Sequence, residues 1–145
     1  MKYIKQIKRP DGIRYWDLSY YYDEIVPELL KRREDLGDLL SSDLNGIANR
    51  EKTLNSGVIK TICYDLENDK VSLTIDQRQG KESIEIIYSG IVNFNINCCI
   101  LPITIMAHEI DVTPDNDVVH SLFLLGDTAM DFKCKNIALT YKPIE

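Results

Sequence analysis

Apolar runs are short throughout the sequence. None approaches the roughly 20 residues that a bilayer-spanning helix requires, so no membrane helix is expected. The opening residues, Met1-Lys2-Tyr3-Ile4-Lys5-Gln6-Ile7-Lys8, lack the apolar core of a secretory signal, and the expected compartment is the cytoplasm. Histidine and glycine are both scarce, with two and seven in the chain. His108-Glu109 does not open a metalloprotease helix, because the residue four after His108 is Val112 and the surroundings read as strand. A metal site would have only Asp111 and Cys134 to add to His108 and His120, so none is expected. There is no glycine-rich phosphate loop and no GxSxG elbow. No cofactor and no catalytic centre are expected, and the protein is read as non-enzymatic.

The four cysteines, Cys63, Cys98, Cys99 and Cys134, lack metal-type spacing. Two of them are adjacent, which suits no ordinary disulfide framework, so free thiols in a reducing cytosol are expected. Positive charge is also in short supply. The net charge is −6, and residues 58–145 hold all of it, since residues 1–57 carry ten Lys/Arg against ten Asp/Glu. Nucleic acid, whose phosphates demand positive charge, is a poor partner for such a chain. A basic protein surface is a better one.

What the sequence does have is alternation, over residues 58–141. Val71-Ser72-Leu73-Thr74-Ile75-Asp76 is the cleanest stretch, and Ile84-Glu85-Ile86-Ile87-Tyr88 continues past Gly90 into Val92-Asn93-Phe94-Asn95-Ile96-Asn97. Side chains on a strand alternate between faces, so one face is apolar and the other wet, as in antiparallel sheets. Residues 58–66 and 71–76 read as a hairpin, then a strand spans 83–97 with a bend or close approach at Gly90. Residues 104–111 and 118–125 form a further hairpin, which places Glu109 opposite His120. In 129–141, Met130, Phe132 and Cys134 alternate on even numbers and Ile137, Leu139 and Tyr141 on odd ones. That slip predicts a bulge near Lys135-Asn136.

Ahead of the sheet, Arg9-Pro10-Asp11-Gly12 predicts a turn between strands at 3–7 and 13–16. Residues 24–36 predict a helix: Pro27 suits a first turn, Asp23 and Glu24 suit its positive end, Lys31, Arg32 and Arg33 its negative end, and Gly37 is a stop. A short second helix is expected behind Ser42 or Asp43, through Leu44, Ile47, Ala48 and Glu51. Tyr20, Tyr21 and Tyr22 precede the first helix, either bridging helix and sheet or serving a partner.

Three strand spellings carry a resemblance. They are Leu54-Asn55-Ser56-Gly57-Val58-Ile59-Lys60-Thr61-Ile62-Cys63-Tyr64-Asp65, Val71 to Asp76, and Ile86-Ile87-Tyr88-Ser89-Gly90-Ile91-Val92-Asn93-Phe94. With the last hairpin, His108-Glu109-Ile110 through Val119 to Leu124 and Phe132 to Leu139, they resemble small bacterial β-rich domains of unknown function associated with toxin-immunity proteins. The likeness covers about residues 54–141. Asn55 stands where that family has a histidine. The resemblance implies a β-rich fold and a toxin as partner.

The expectation is one α+β domain: a hairpin in 1–18, a helical segment in 19–54, and in 55–145 an antiparallel sheet or partly closed barrel packed against one or two N-terminal helices. The expected function is an immunity-type binding protein that blocks a toxin by surface complementarity, with Asp111, Asp115, Asp117, Tyr20, Tyr21 and Tyr22 as partner-binding residues. The alternative is a small-molecule-binding domain using the concave face of the sheet. A homodimer through an edge strand is a further expectation.

Overall fold

The computed structural model describes residues 2–45, 53–77, 82–97 and 100–143. Among these residues the chain is mostly antiparallel sheet, with one helix and two short 3-10 turns. The turn Arg9–Gly12 joins β1 (Lys5–Lys8) to β2 (Arg14–Asp17). Gly12 takes a φ of 89°, and the Asp11 side chain accepts from the Ile13 amide, as that turn chemistry requires. The two strands make a separate ribbon. Trp16 carries it against the barrel, edge-on to Phe123 at 5.0 Å.

Six strands close into one barrel: β3 (Val58–Asp65), β4 (Lys70–Asp76), β5 (Glu82–Asn97), β6 (Ile103–Val112), β7 (Val118–Leu124) and β8 (Thr128–Pro143). Their order around it is β3-β4-β5-β8-β7-β6. The cause is the alternation: Ile59, Leu73, Ile75, Ile84, Ile86, Tyr88, Leu122, Met130 and Phe132 are fully buried. A barrel this small is filled by its own side chains. The inner face of the sheet is lined by these buried side chains.

The ring is unevenly closed. Strands β3 and β6 share only two residue pairs, Val58 with Thr104 and Ile59 with Ile103. Beyond them the outer edge of β6 is completed by the segment that precedes β3. The Ser56 amide donates to the Ile105 carbonyl and the Ile105 amide to the Gly57 carbonyl. The Asn45 amide donates to the His108 carbonyl and accepts from the His108 N–H, as a neighbouring strand would. The Tyr21 hydroxyl does both for Ile110, at 2.6 and 2.9 Å. Arg32 donates to the Val112 and Thr113 carbonyls. Buried backbone groups must find partners, and here side chains supply them.

Several expectations are corrected. The helix begins with a π-helical turn, Tyr21–Ile25, and continues as α1 (Val26–Arg32), with Pro27 in its first turn. It stops at Arg33, not Gly37. Arg33 leaves the helical region (φ −141°, ψ 73°), and its guanidinium reaches the Asn116 and Lys135 carbonyls. The second helix is, in its described part, a single 3-10 turn, Ser42–Leu44, capped by Ser41; Ile47, Ala48 and Glu51 lie outside the described residues. The bulge falls on β5, between Ile91 and Asn93, while β8 runs through Lys135-Asn136 as strand. The phase slip of β8 is matched across the ladder by Gly90, whose φ is +65°. A Cβ there would lie 2.7 Å from Lys135 Cγ, so both a bend and a close approach require the glycine.

Candidate functional site

The six candidate residues divide by accessibility. Tyr20 is 57% exposed. Tyr21 is buried, with its hydroxyl committed to Ile110 and burial pushing its pKa up. Tyr22 is half-buried, accepts a hydrogen bond from Asn45, and is pushed up to about 12, mainly by burial and against that bond. On the β6–β7 turn, Asp115 is exposed. Asp117 is buried and paired with Lys135. Asp111 is half-buried, accepting from the Tyr3 hydroxyl and from Lys2. The structure thus leaves Tyr20 and Asp115 on the surface and turns Tyr21 and Asp117 inward.

Glu109 does not face His120. The residues between Val112 and Val118 number five, so Ile110 pairs with His120 and Glu109 with Ser121. One residue of register changes the face. Glu109 instead points out of the barrel and receives three backbone amides, those of Lys2, Tyr3 and Ile4, each at 2.7 Å. It ties the N-terminal segment over β6.

Inside the barrel lies a polar chain that the sequence did not disclose. The Tyr88 hydroxyl is 2.7 Å from His120 Nδ1, and His120 Nε2 is 3.1 Å from His108 Nδ1. His108 Nε2 forms no well-shaped hydrogen bond, and the Leu44 carbonyl is the polar group acting on it. If the Tyr88 hydroxyl donates to His120 Nδ1, His120 Nε2–H must donate to His108 Nδ1, which leaves the His108 proton on Nε2. Both rings are then neutral Nε2–H tautomers. Burial lowers His108 to about 4, against the smaller raising effect of the Leu44 carbonyl. Burial, then the nearness of His108, holds His120 well below the ordinary value. Parity places Tyr88 and His120 inside, with Ile84, Ile86, Val118 and Leu122. The irregularity between Ile105 and Ala107 hides the matching position of His108. Among the described residues no group of three or more His, Cys, Asp or Glu is placed to hold a metal ion.

An aromatic path leads from this chain to the surface. Tyr88 stacks on Phe132 at 4.2 Å, Phe132 on Phe94 at 6.2 Å, and Phe94 meets Tyr64 edge-on at 5.5 Å. A cleft of about 360 Å³ lies between the segment before β3 and β8, lined by Asp38, Ser41, Asp43, Leu44, Leu139 and Tyr141. The N-terminal ribbon and its exit expose Ile13 (55%) and Tyr15 (47%) as well as Tyr20. Cys63 is exposed and Cys134 buried, both free thiols. Cys98 and Cys99 lie outside the described residues.

No protein-family model matches this chain, and no curated protein does. Among solved structures, the crystal structure of an uncharacterized protein from Neisseria gonorrhoeae is similar. It is 13% identical, with 59% of this chain and 90% of that chain covered and a TM-score of 0.46. At that level the likeness carries no argument about function. Among the described residues no helix is long and apolar enough to cross a membrane.

Proposed function

We propose that this protein is a non-enzymatic binding protein of the immunity type, acting in the cytoplasm of a bacterium to block a toxin by surface complementarity. The observation that supports it is the exposure of Ile13, Tyr15 and Tyr20 within one short segment, carried against the barrel by Trp16. Exposed aromatics with polar tips suit protein interfaces, where a few buried rings carry most of the affinity. Asp115, exposed on the β6–β7 turn, provides negative charge for a basic partner, and Asp111, though paired with Lys2, lies on the neighbouring strand. Charged rims act chiefly on association rate.

The test is co-expression with toxic products encoded beside its gene. The parent protein is expected to restore growth and form a complex with one of them. Tyr15→Ser/Tyr20→Ser is expected to lose both while keeping its thermal midpoint. Asp115→Asn is expected to slow association, most at low salt where screening is weakest. Equal protection by the aromatic double variant, or no neutralised product, would overturn the reading.

A further inference from the structure

The two free edges of the barrel are treated differently. The edge of β6 is covered, residue by residue, by Ser56, Asn45, Tyr21 and Arg32. The other belongs to β5. Strand β4 accompanies β5 only as far as the pair Lys70–Ser89. Asp69 then takes the Ile91 amide at 3.1 Å. From there to Asn97, β5 pairs with β8 on one side, and among the described residues no strand pairs with its other side.

Exposed edges are ordinarily protected by lysine, proline, a bulge or a covering element, and here the one bulge lies at the near end of the stretch, between Ile91 and Asn93. Ile91-Val92-Asn93-Phe94-Asn95-Ile96-Asn97 has no charge and no proline. Val92 and Phe94 are 46% and 39% exposed. The stretch also reads alike in both directions from Phe94, with Asn93 and Asn95 flanking it and Val92 and Ile96 beyond. Two such strands, antiparallel about a two-fold axis at Phe94, set Phe94 against Phe94, each Asn93 against an Asn95, and each Val92 against an Ile96. Amide meets amide and ring meets ring over Asn93 to Asn95, and Val92, at the bulge, comes opposite Ile96. A contact of this kind is self-complementary and closes at two copies.

We propose that two copies of this protein associate through antiparallel pairing of residues 92–96 of β5, centred on Phe94. The second copy is favoured as occupant by this symmetry and by the lack of charge in the strand, which sets no like charges of residues 91–97 opposite each other across the contact. Tyr64, edge-on to Phe94, flanks the contact. The paired stretch is short, so the dimer is concentration-dependent, with a dissociation constant on the order of micromolar.

Sedimentation across a concentration series tests this, with a register check built into the variants. Asn93→Lys/Asn95→Lys places lysine opposite lysine twice and is expected to stay monomeric. Asn93→Lys/Asn95→Glu places lysine opposite glutamate twice and is expected to dimerise at least as tightly as the parent. Circular dichroism and thermal midpoints confirm that both variants fold, since Asn93 and Asn95 are exposed. A parent protein that is monomeric throughout, a lysine double variant that still dimerises, or a lysine–glutamate variant that does not, would each overturn the proposal.

Discussion

Tyr88, His120 and His108 convert a packing arrangement into a pH response. An ordinary histidine takes up its proton near 6.5, and His108 in the fold does so at about 4. Between these values the unfolded chain binds more protons than the folded one, so stability falls as the pH is lowered. The loss begins on acidification through about 6.5 and is complete for His108 near 4. It amounts to about 3 kcal/mol for this group alone, with His120 adding in the same direction. Asp35 and Asp65 are held below the ordinary carboxylate value, by Arg33 and Asn68, so their contribution is lost at lower pH. Urea unfolding from pH 7 to 4.5 checks this, and a flat profile would mean that the rings are not held neutral. Cys134, pushed up to about 12 by burial, is a second case. Brief alkylation of the native protein is expected to label Cys63 and spare Cys134 until denaturant is added, read by peptide mass.

At the scale of elements, the strands were legible and the segment that completes them was not. Alternation marks a strand because its period is two, and the hairpins of 58–76 and 104–125 follow from it directly. Nothing in a sequence marks the Tyr21 hydroxyl or the Asn45 amide as a substitute for a strand, since each acts by reaching a backbone far away in the chain. Tyr21→Phe keeps the ring against Tyr3 and leaves the Ile110 N–H and carbonyl without a partner. The expected cost is about 1–3 kcal/mol in urea unfolding. Glu109 holds three amides of the N-terminal segment, so Glu109→Ala is expected to cost more than that range and to expose the segment before β1 to protease. A Tyr21→Phe protein as stable as the parent would mean that water replaces the hydroxyl at no cost.

At the scale of the whole molecule, the barrel has one weak seam. The other neighbouring strands share seven residue pairs or more, and β5 and β8 share fourteen. The β3–β6 contact has two, extended by the Ser56 and Ile105 hydrogen bonds. Separating β3 from β6 at this place breaks few backbone bonds and leaves the ladders among β4, β5, β8 and β7 whole. Proteins open by such partial routes when the broken contacts are fewer than those of global unfolding. The Ser56 and Ile105 amides are therefore expected to exchange with solvent through a local opening. Their opening free energy lies below that of Ile86 and Leu122, which sit in the continuous part of the barrel, and depends weakly on denaturant because little surface is exposed. Native-state hydrogen exchange at increasing urea measures both quantities residue by residue. If Ser56 and Ile105 follow the global free energy and its full denaturant slope, then Tyr21, Asn45 and Arg32 lock the seam as firmly as a seventh strand would.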